Sequence, residues 1–335
     1  MNRVSVVIAM LLSGCLIAGK LFAASPEVEK ARQHGAQGEV TLCVVDSTGK
    51  PVEKAKLSVA FWGSDSFADV VVSEGATDTN GLFVAAGKTI HSMDYTVTKE
   101  GYYTTEGKHW FYRQGKNCVQ DGRWSPWNPT NTVVLKEYRK PIAMYAKNVD
   151  ISIPTRDTPV GFDLEVGDWV SPYGKGVQSD MFFNYSAHIA DMLTFSNQLI
   201  LACSNRMDGL QRVGKETWSF FVSTYDAPRD GYHPNMILSI NRAKYKILKR
   251  EEVIDAEYLV FRVRTVLDDK GNIVSALYGK IYGPIEYGES DTNQGGTVRF
   301  TYYLNSTPNN RNLEFDPSRN LFNWRHDAPE RPYIP

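Results

Sequence analysis

The sequence predicts an all-β fold built from two β-sandwich domains, the second being an antiparallel sandwich or a jelly-roll-like domain. Aromatic residues make up 12% of the chain, with 18 Tyr and 7 Trp, and such side chains pack well across a pleated sheet. Short runs of alternating apolar and polar residues recur, separated by turns that contain Gly, Pro, Asn or Asp. A sustained 3.6-residue period, typical of long amphipathic helices, does not occur.

The length and the charge of the chain limit the classes of function. Its 335 residues are enough for about two domains at roughly 150 residues each. The 37 Lys and Arg balance the 38 Asp and Glu. Because no basic excess exists to neutralise phosphates, nucleic acid is not an expected partner.

Residues 1–24 have the features of an export signal. The apolar run over residues 4–19 is shorter than the roughly 20 residues that span a bilayer. The motif LSGC, which ends at Cys15, resembles a bacterial lipobox, in which the cysteine receives a lipid. Ordinary cleavage near Ala23 or Ala24 is the alternative. We therefore expect export to the periplasm, outer membrane or cell surface, with lipid on Cys15 as the expected route to a membrane.

Three further cysteines, Cys43, Cys118 and Cys203, are too few for a disulfide scaffold or a zinc site. Export permits a disulfide, so a bridge between Cys43 and Cys118 and a pair of free thiols both stay open. Cys203 lies in an apolar segment and is expected to be a small buried hydrophobe. The six histidines show no metal-ligand spacing, so neither a metal nor a cofactor is expected.

The first strands flank the turn at residues 47–51, where Gly and Pro favour a change of direction. The second strand alternates through Leu57, Val59 and Phe61. Residues 78–81 (Asp-Thr-Asn-Gly) are a strong turn signal, which we interpret as a hairpin.

Three motifs in this region occur in order: VDSTGKPVEKAKLSV, GATDTNGLF and YTVTKEGYYTT. Together they resemble the carboxypeptidase regulatory-like (prealbumin-like) β-sandwich over about residues 38–138. The resemblance implies a sandwich fold and an accessory module of an exported protein. It implies no catalytic residue.

A proline-rich passage places a soft domain boundary near residue 140, and residues 140–335 then form the second domain. From residue 178 onward the pattern is again one of strands, including residues 216–226 (ETWSFFVSTYD). Residues 257–283 are predicted to be a hairpin with its turn at residues 268–272. We identify no family for this half.

The stretch VGFDLEVGDWVSPYGKG, residues 160–176, is the strongest site candidate in the sequence. In an extended strand Asp163 and Glu165 share one face, and Asp168 follows next to Trp169. Such carboxylates suit acid–base chemistry or Ca²⁺, and Trp169 with Tyr173 can form an aromatic platform for sugar rings. The alternatives are the solvated face of an ordinary strand and a loop packed against its own domain.

No serine-hydrolase elbow, phosphate-binding loop or dinucleotide fingerprint is present in the sequence. We therefore expect an exported cell-envelope binding or structural protein without catalytic activity, whose partner is a glycan or an envelope protein. Trp169 and Tyr173 are its expected ligand-binding residues. The alternative is a carbohydrate-active enzyme that uses Asp163, Glu165 and Asp168.

Overall fold

The computed structural model describes residues 24–63, 69–113, 116, 118–191, 193–215, 218–253, 257–290, 295–323 and 328–332. The expected export signal up to residue 23, including Cys15, lies outside this range. Among the described residues, no helix is both long enough and apolar enough to cross a bilayer.

The described chain up to Tyr138, here called the N-terminal half, contains one helix and nine strands. These are α1 (Pro26–His34), β1 (Ala36–Asp46), β2 (Lys56–Trp62), β3 (Val70–Ala76), β4 (Leu82–Thr89), β5 (Ser92–Thr98), β6 (Thr105–Trp110), β7 (Val119–Gln120), β8 (Arg123–Trp124) and β9 (Thr130–Leu135).

The N-terminal half is a β-sandwich of two sheets. One has the order β4-β1-β8-β7, with β9 also paired to β1, and the other has the order β3-β2-β5-β6. Val40 and Leu42 from the first sheet and Val59 and Phe61 from the second are fully buried in one core. Apolar residues alternate in β2 because every second side chain faces the opposite sheet, as the sequence predicts.

Helix α1 precedes the sandwich and was not predicted. Ser25 caps it by accepting a hydrogen bond from the Val28 N–H at 3.4 Å, and Pro26 follows at the first helical position. Val28 and Ala31 are buried against the sandwich core. Serine followed by proline is a helix-start signal that the sequence does carry.

The turn at residues 78–81 forms as predicted, but it does not close a hairpin. Asp78 Oδ1 accepts from the N–H groups of Asn80 (2.9 Å) and Leu82 (2.8 Å), and Gly81 has φ 73°. However, β3 pairs with β2 while β4 pairs with β1, so this turn carries the chain from one sheet to the other. The hairpin interpretation is wrong because distant strands decide each pairing.

The described chain from Arg139 onward, here called the C-terminal half, contains twelve strands. These are β10 (Ile142–Ile153), β11 (Val160–Asp163), β12 (Asp168–Trp169), β13 (Met181–Asp191), β14 (Thr194–Cys203), β15 (Gly209–Gly214), β16 (Asn235–Ala243), β17 (Lys246–Glu251), β18 (Glu257–Leu267), β19 (Ile273–Glu289), β20 (Gly296–Asn305) and β21 (Phe315–Asn320).

Two six-stranded sheets form a second sandwich, with the orders β15-β18-β19-β20-β10-β21 and β12-β11-β13-β14-β16-β17. Val149 and Phe300 from the first sheet share a core with Phe183 and Leu199 from the second. The all-β fold class is therefore confirmed. One departure from a wholly antiparallel domain is the parallel pairing of β10 with β21.

The predicted hairpin at residues 257–283 is confirmed as the antiparallel pair β18 and β19. Asp268 Oδ1 accepts from the N–H groups of Lys270 (2.9 Å) and Asn272 (2.8 Å). Gly271 has φ 83°, a conformation that favours glycine.

Residues 218–226, here called the junction segment, are not a strand of the second sandwich. The Phe220 N–H donates to the Thr104 carbonyl at 2.9 Å, and the Glu106 N–H donates to the Trp218 carbonyl at 3.2 Å. Residues 218–220 therefore lie along the start of β6 in the N-terminal half, whereas Tyr225 and Asp226 bond to Leu313 and Asn312 of the C-terminal half. The prediction of an independent strand here is wrong because its partner belongs to the other half.

The two halves also share buried polar contacts. Glu314, which is buried, accepts from the Tyr103 hydroxyl (2.9 Å) and from the N–H groups of Arg139 (2.8 Å) and Lys140 (2.5 Å). Each half has its own core, while a division into separate domains near residue 140 stays a prediction.

The three described cysteines, Cys43, Cys118 and Cys203, carry free thiols, so the bridge between Cys43 and Cys118 is not formed in this structure. Cys203 ends β14 and is partly buried. Burial raises the pKa of the Cys203 thiol to about 12. A neutral thiol in this place fits a packing role.

Candidate functional site

The carboxylate of Asp163 lies inside the segment of residues 160–176, the strongest site candidate in the sequence. Strand β11 ends at Asp163, and its carboxylate accepts from the N–H groups of Glu165 (3.0 Å), Val166 (3.2 Å), Val177 (2.9 Å) and Gln178 (3.0 Å). Its side chain is 4% exposed. The extended run expected through Glu165 therefore stops at Asp163, and this carboxylate closes a turn.

The guanidinium group of Arg264 contacts three carboxylates. Its Nε lies 2.7 Å from Asp180 Oδ1, its Nη1 lies 2.6 Å from Glu165 Oε2, and its Nη2 lies 3.2 Å from Asp163 Oδ1. Arg264 has φ 54°, a left-handed conformation that is uncommon for a side chain of this size. Asp163 and Glu165 are therefore brought together by their contact with one cation, and not by the shared face of an extended strand that the sequence predicts.

The pKa values of the two buried carboxylates move in opposite directions. Burial acts to raise the pKa of Asp163, but hydrogen bonds from the backbone N–H groups of Gln178 and Val177 hold it below its usual range. Burial raises the pKa of Asp180, and the hydrogen bond from Arg264 offsets only part of that rise. Both carboxylates already accept hydrogen bonds from internal donors, which is the usual state of buried polar groups in a folded structure.

Asp168 has the same kind of role at the next turn. Its Oδ1 accepts from the Trp169 N–H at 2.8 Å and its Oδ2 accepts from the Lys175 N–H at 3.0 Å. A Cβ at Gly176 would lie 2.8 Å from the Asp163 Cβ, so only glycine allows the loop to pack this closely.

Trp169 is a core residue, so it does not form an exposed platform with Tyr173. Trp169 is 4% exposed, and its Nε1 donates to the Ser152 carbonyl at 2.9 Å. Its ring contacts those of Phe162 and Phe183 edge to face. Tyr173 is 47% exposed. The platform expected from the sequence does not form, because Trp169 pairs with Phe162 across β11 and β12 and turns inward.

A different aromatic surface lies between the two halves, in a groove of about 850 Å³ that we call the junction groove. One wall is the β5–β6 hairpin with Asp94, Glu106, Lys108 and Trp110. The other wall contains Lys215, Tyr282 and residues 218–220 and 222.

Strand β6 places three exposed side chains on one face of the groove. Glu106, Lys108 and Trp110 alternate along the strand, and all three are exposed. Residues two apart on a strand point the same way, so Glu106 and Trp110 are roughly 13 Å apart along it, at about 3.3 Å per residue. Trp218 lies beside Glu106, whose N–H donates to the Trp218 carbonyl.

The two tryptophans of the junction groove are open to solvent. Trp110 is 54% exposed and Trp218 is 63% exposed. Lys108 Nζ lies 5.1 Å from the centre of a Trp110 ring and 3.2 Å from Asp94 Oδ1. The groove therefore offers flat apolar rings next to carboxylates and ammonium groups.

The polar groups of the junction groove are held in place by neighbours. Trp62 Nε1 donates to Asp94 Oδ2 at 2.7 Å. Lys215 Nζ lies 5.0 Å from the centre of the Tyr282 ring. Within the described ranges, no three metal-ligating side chains come together, so we place no metal in this groove.

Sequence reasoning missed this groove, although part of its signal is present. The run TEGKHW of β6 puts two charged residues and a tryptophan on one face, a pattern that a buried strand face would not tolerate. Trp218 gave no such signal, because its position beside β6 depends on contact between the two halves.

Comparison with protein-family models finds no match, and comparison with curated proteins finds none either. Among solved structures, 3-chlorocatechol 1,2-dioxygenase from Rhodococcus opacus 1CP aligns with 14% identity and a TM-score of 0.25, over 32% of this chain and 62% of that one. The shaft pilin SpaA from Lactobacillus rhamnosus GG aligns with 13% identity and a TM-score of 0.21, over 63% and 94%.

BcpA, the major pilin subunit of Bacillus cereus, aligns with 11% identity and a TM-score of 0.22, over 78% of this chain and 74% of that one. Similarities of this size define neither the fold nor the function of this chain. The functional argument therefore rests on the junction groove itself.

Proposed function

We propose that this chain is an exported binding protein of the cell envelope, without catalytic activity, which holds a glycan in the junction groove. The observation that carries this proposal is the pair of exposed tryptophans, Trp110 and Trp218, in a groove with carboxylates and ammonium groups. Export and lipid attachment at Cys15 stay predictions.

Two exposed tryptophans that line one groove form an apolar patch, and contiguous exposed apolar patches mark binding sites. The flat apolar faces of sugar rings can stack on such side chains, while sugar hydroxyls hydrogen-bond to charged groups. The roughly 13 Å from Glu106 to Trp110, at about 3.3 Å per residue, suits a chain of sugars better than a single small molecule.

The mixed charge of the groove favours a neutral ligand. Asp94 and Glu106 are negative, while Lys108 and Lys215 are positive. A polyanion would be repelled by the first pair and a polycation by the second pair. A neutral polysaccharide can donate to the carboxylates and accept from the ammonium groups.

An enzyme that uses Asp163, Glu165 and Asp168 is less well supported. A glycoside hydrolase needs two carboxyl groups that flank a bound substrate. Here Asp163 and Glu165 bind Arg264, and Asp168 closes its own loop.

The test is binding of neutral polysaccharides by the parent protein and by single tryptophan variants, measured by thermal shift and then by titration calorimetry. A ligand that binds only the folded state raises the unfolding midpoint. We expect Trp110→Ala and Trp218→Ala each to weaken binding by about tenfold, since an aromatic contact contributes on the order of 1 kcal/mol beyond its buried area.

Trp127→Ala is the matched control, because Trp127 is 42% exposed and does not line the groove. Equal binding by all three variants would exclude the groove as the site. No binding to any neutral glycan would shift the assignment to an envelope protein partner. Release of new reducing ends from a bound glycan would support the enzyme instead.

A further inference from the structure

One end of a sheet in the C-terminal half carries a second exposed surface, whose residues do not line the junction groove. Strands β13 and β14 turn at the same end of the sheet as strands β16 and β17. Phe195 pairs with both Ile189 and Arg242, and Arg242 also pairs with Ile247. The Lys244 N–H donates to Thr194 Oγ1 at 3.4 Å, so the two turns are in contact.

The exposed apolar side chains of this surface are large. Tyr245 is 86% exposed, Leu248 is 62% exposed and Ile247 is 50% exposed. Ile189 and Leu193 on the neighbouring hairpin are 47% and 37% exposed. We call residues 242–250, together with Ile189 and Leu193, the tip patch.

The tip patch is also basic. Residues 242–250 (RAKYKILKR) contain five Lys or Arg and no acid, whereas the whole chain has a net charge of −1. Lys249 and Arg250 pair with the acids that follow them, at Glu251 and Glu252. Lys244 and Lys246 flank Tyr245 at the turn, and both are exposed.

One acid belongs to this end of the sheet. Asp191, in the neighbouring turn, accepts from the Leu193 N–H at 2.7 Å and caps that turn. The tip patch therefore combines a tyrosine and long aliphatic side chains with a clear excess of positive charge.

We infer that the tip patch docks onto the surface of an anionic lipid bilayer. Tyrosine places its ring at the boundary between lipid and water, and lysine buries its aliphatic stem while its ammonium stays near the headgroups. Apolar burial and attraction to anionic lipid then act together.

Strand addition by a second copy of this chain is less well supported by the same residues. β17 is the edge strand of its sheet, and all of its residues are exposed. However, it carries Lys246, Lys249 and Arg250, and charged side chains on an edge strand oppose pairing with another strand. A β-bulge also interrupts its register with β16 near Leu248.

The test is co-sedimentation with lipid vesicles, using the chain from Ala24 onward, which contains both cores and lacks the apolar segment before them. Vesicles of phosphatidylcholine alone are compared with vesicles that contain phosphatidylglycerol as well. We expect binding to the anionic vesicles only, and weaker binding at high salt.

Two double variants separate the contribution of positive charge to membrane binding from that of apolar burial. Lys244→Glu with Lys246→Glu should weaken partitioning by at least about 25-fold, because the loss of each lysine near an anionic surface costs about fivefold and the new carboxylates add repulsion. Tyr245→Ser with Leu248→Ser should weaken it as well, because apolar burial is lost. Lys244→Arg with Lys246→Arg should bind like the parent.

Tyr173→Ser with Lys175→Glu is the matched control, since both residues are exposed and lie in the loop next to β12, the opposite edge of the same sheet. A circular dichroism spectrum checks that each variant is folded. Equal binding by parent and charge-reversed variants, or full binding by the Tyr245 and Leu248 variant, would overturn the lipid assignment. A dimer that forms without lipid through this surface would overturn it too.

Discussion

Asp163 shows how one buried carboxylate can hold a loop that resembles an active site. It accepts from the backbone N–H groups of Val177 and Gln178 at one oxygen, and from Glu165 and Val166 at the other. An amide at this position would turn its NH₂ toward one of these pairs of donors and leave them without an acceptor.

We therefore expect Asp163→Asn to lower the free energy of unfolding by about 2–5 kcal/mol, because buried donors lose their acceptor and Arg264 loses a counter-charge. Urea denaturation measures this loss. Asp78→Asn is the control, since its exposed turn uses a single carboxylate oxygen for both N–H groups. A loss below about 0.5 kcal/mol for Asp163→Asn, the usual range of a neutral surface change, would contradict this structural role.

At the scale of an element, strand β19 carries a fully buried lysine. Lys280 Nζ lies 3.2 Å from Ser223 Oγ and within 5 Å of the ring centres of Phe221 and Tyr303. Burial, and to a smaller extent the positive charge of Lys136, lowers the pKa of Lys280 to about 7, while Glu314 acts to raise it.

This lowered pKa makes stability depend on pH. Between about pH 7 and the ordinary lysine value of 10.5, the unfolded chain binds a proton that the folded chain does not. The free energy of unfolding therefore rises with pH in this window, by up to about 1.4 kcal/mol per pH unit. We expect Lys280→Met to remove this rise between pH 7.5 and 9.5, measured by urea denaturation at a series of pH values.

Lys56→Met is the control for this experiment, because Lys56 is an exposed residue of β2. It should leave the slope with pH unchanged. A parent protein whose stability does not rise over this window would show that Lys280 is protonated in the fold, and the expected effect of its replacement would then be wrong.

Strands differ in how far the local sequence predicts their burial and their pairing. The alternation of Leu57, Val59 and Phe61 predicts a half-buried strand, and β2 has that pattern. The turn signal at Asp268 predicts the β18–β19 hairpin, because both arms are neighbours along the chain. The turn signal at Asp78 is equally clear, but the hairpin that it predicts does not form. The strands on either side of it, β3 and β4, pair with β2 and β1 instead.

At the scale of the whole molecule, Glu314 links the two halves. It accepts from Tyr103 in the N-terminal half and from the backbone of Arg139 and Lys140 where the C-terminal half begins. Burial of Glu314 makes these contacts costly to lose. We expect the parent protein to unfold in one calorimetric transition.

Glu314→Ala should separate this transition into two, because each half keeps its own core while the Tyr103 hydroxyl and two backbone N–H groups lose the acceptor that links them. Differential scanning calorimetry measures the outcome. Glu137→Ala is the control, since its carboxylate accepts from Tyr102 within the N-terminal half. Two transitions in the parent, or a single transition in the Glu314 variant, would contradict coupling through Glu314.

The sequence by itself determined the properties that depend on near neighbours: the all-β class, the alternation of the strands and the turns closed by Asp78 and Asp268. It also indicated the importance of the loop at Asp163, although not its role. Only the tertiary structure decided that Trp169 turns into the core and that Trp218 reaches β6 to complete the junction groove. The physical reason is that burial and strand pairing depend on residues far apart in the chain, which local patterns do not encode.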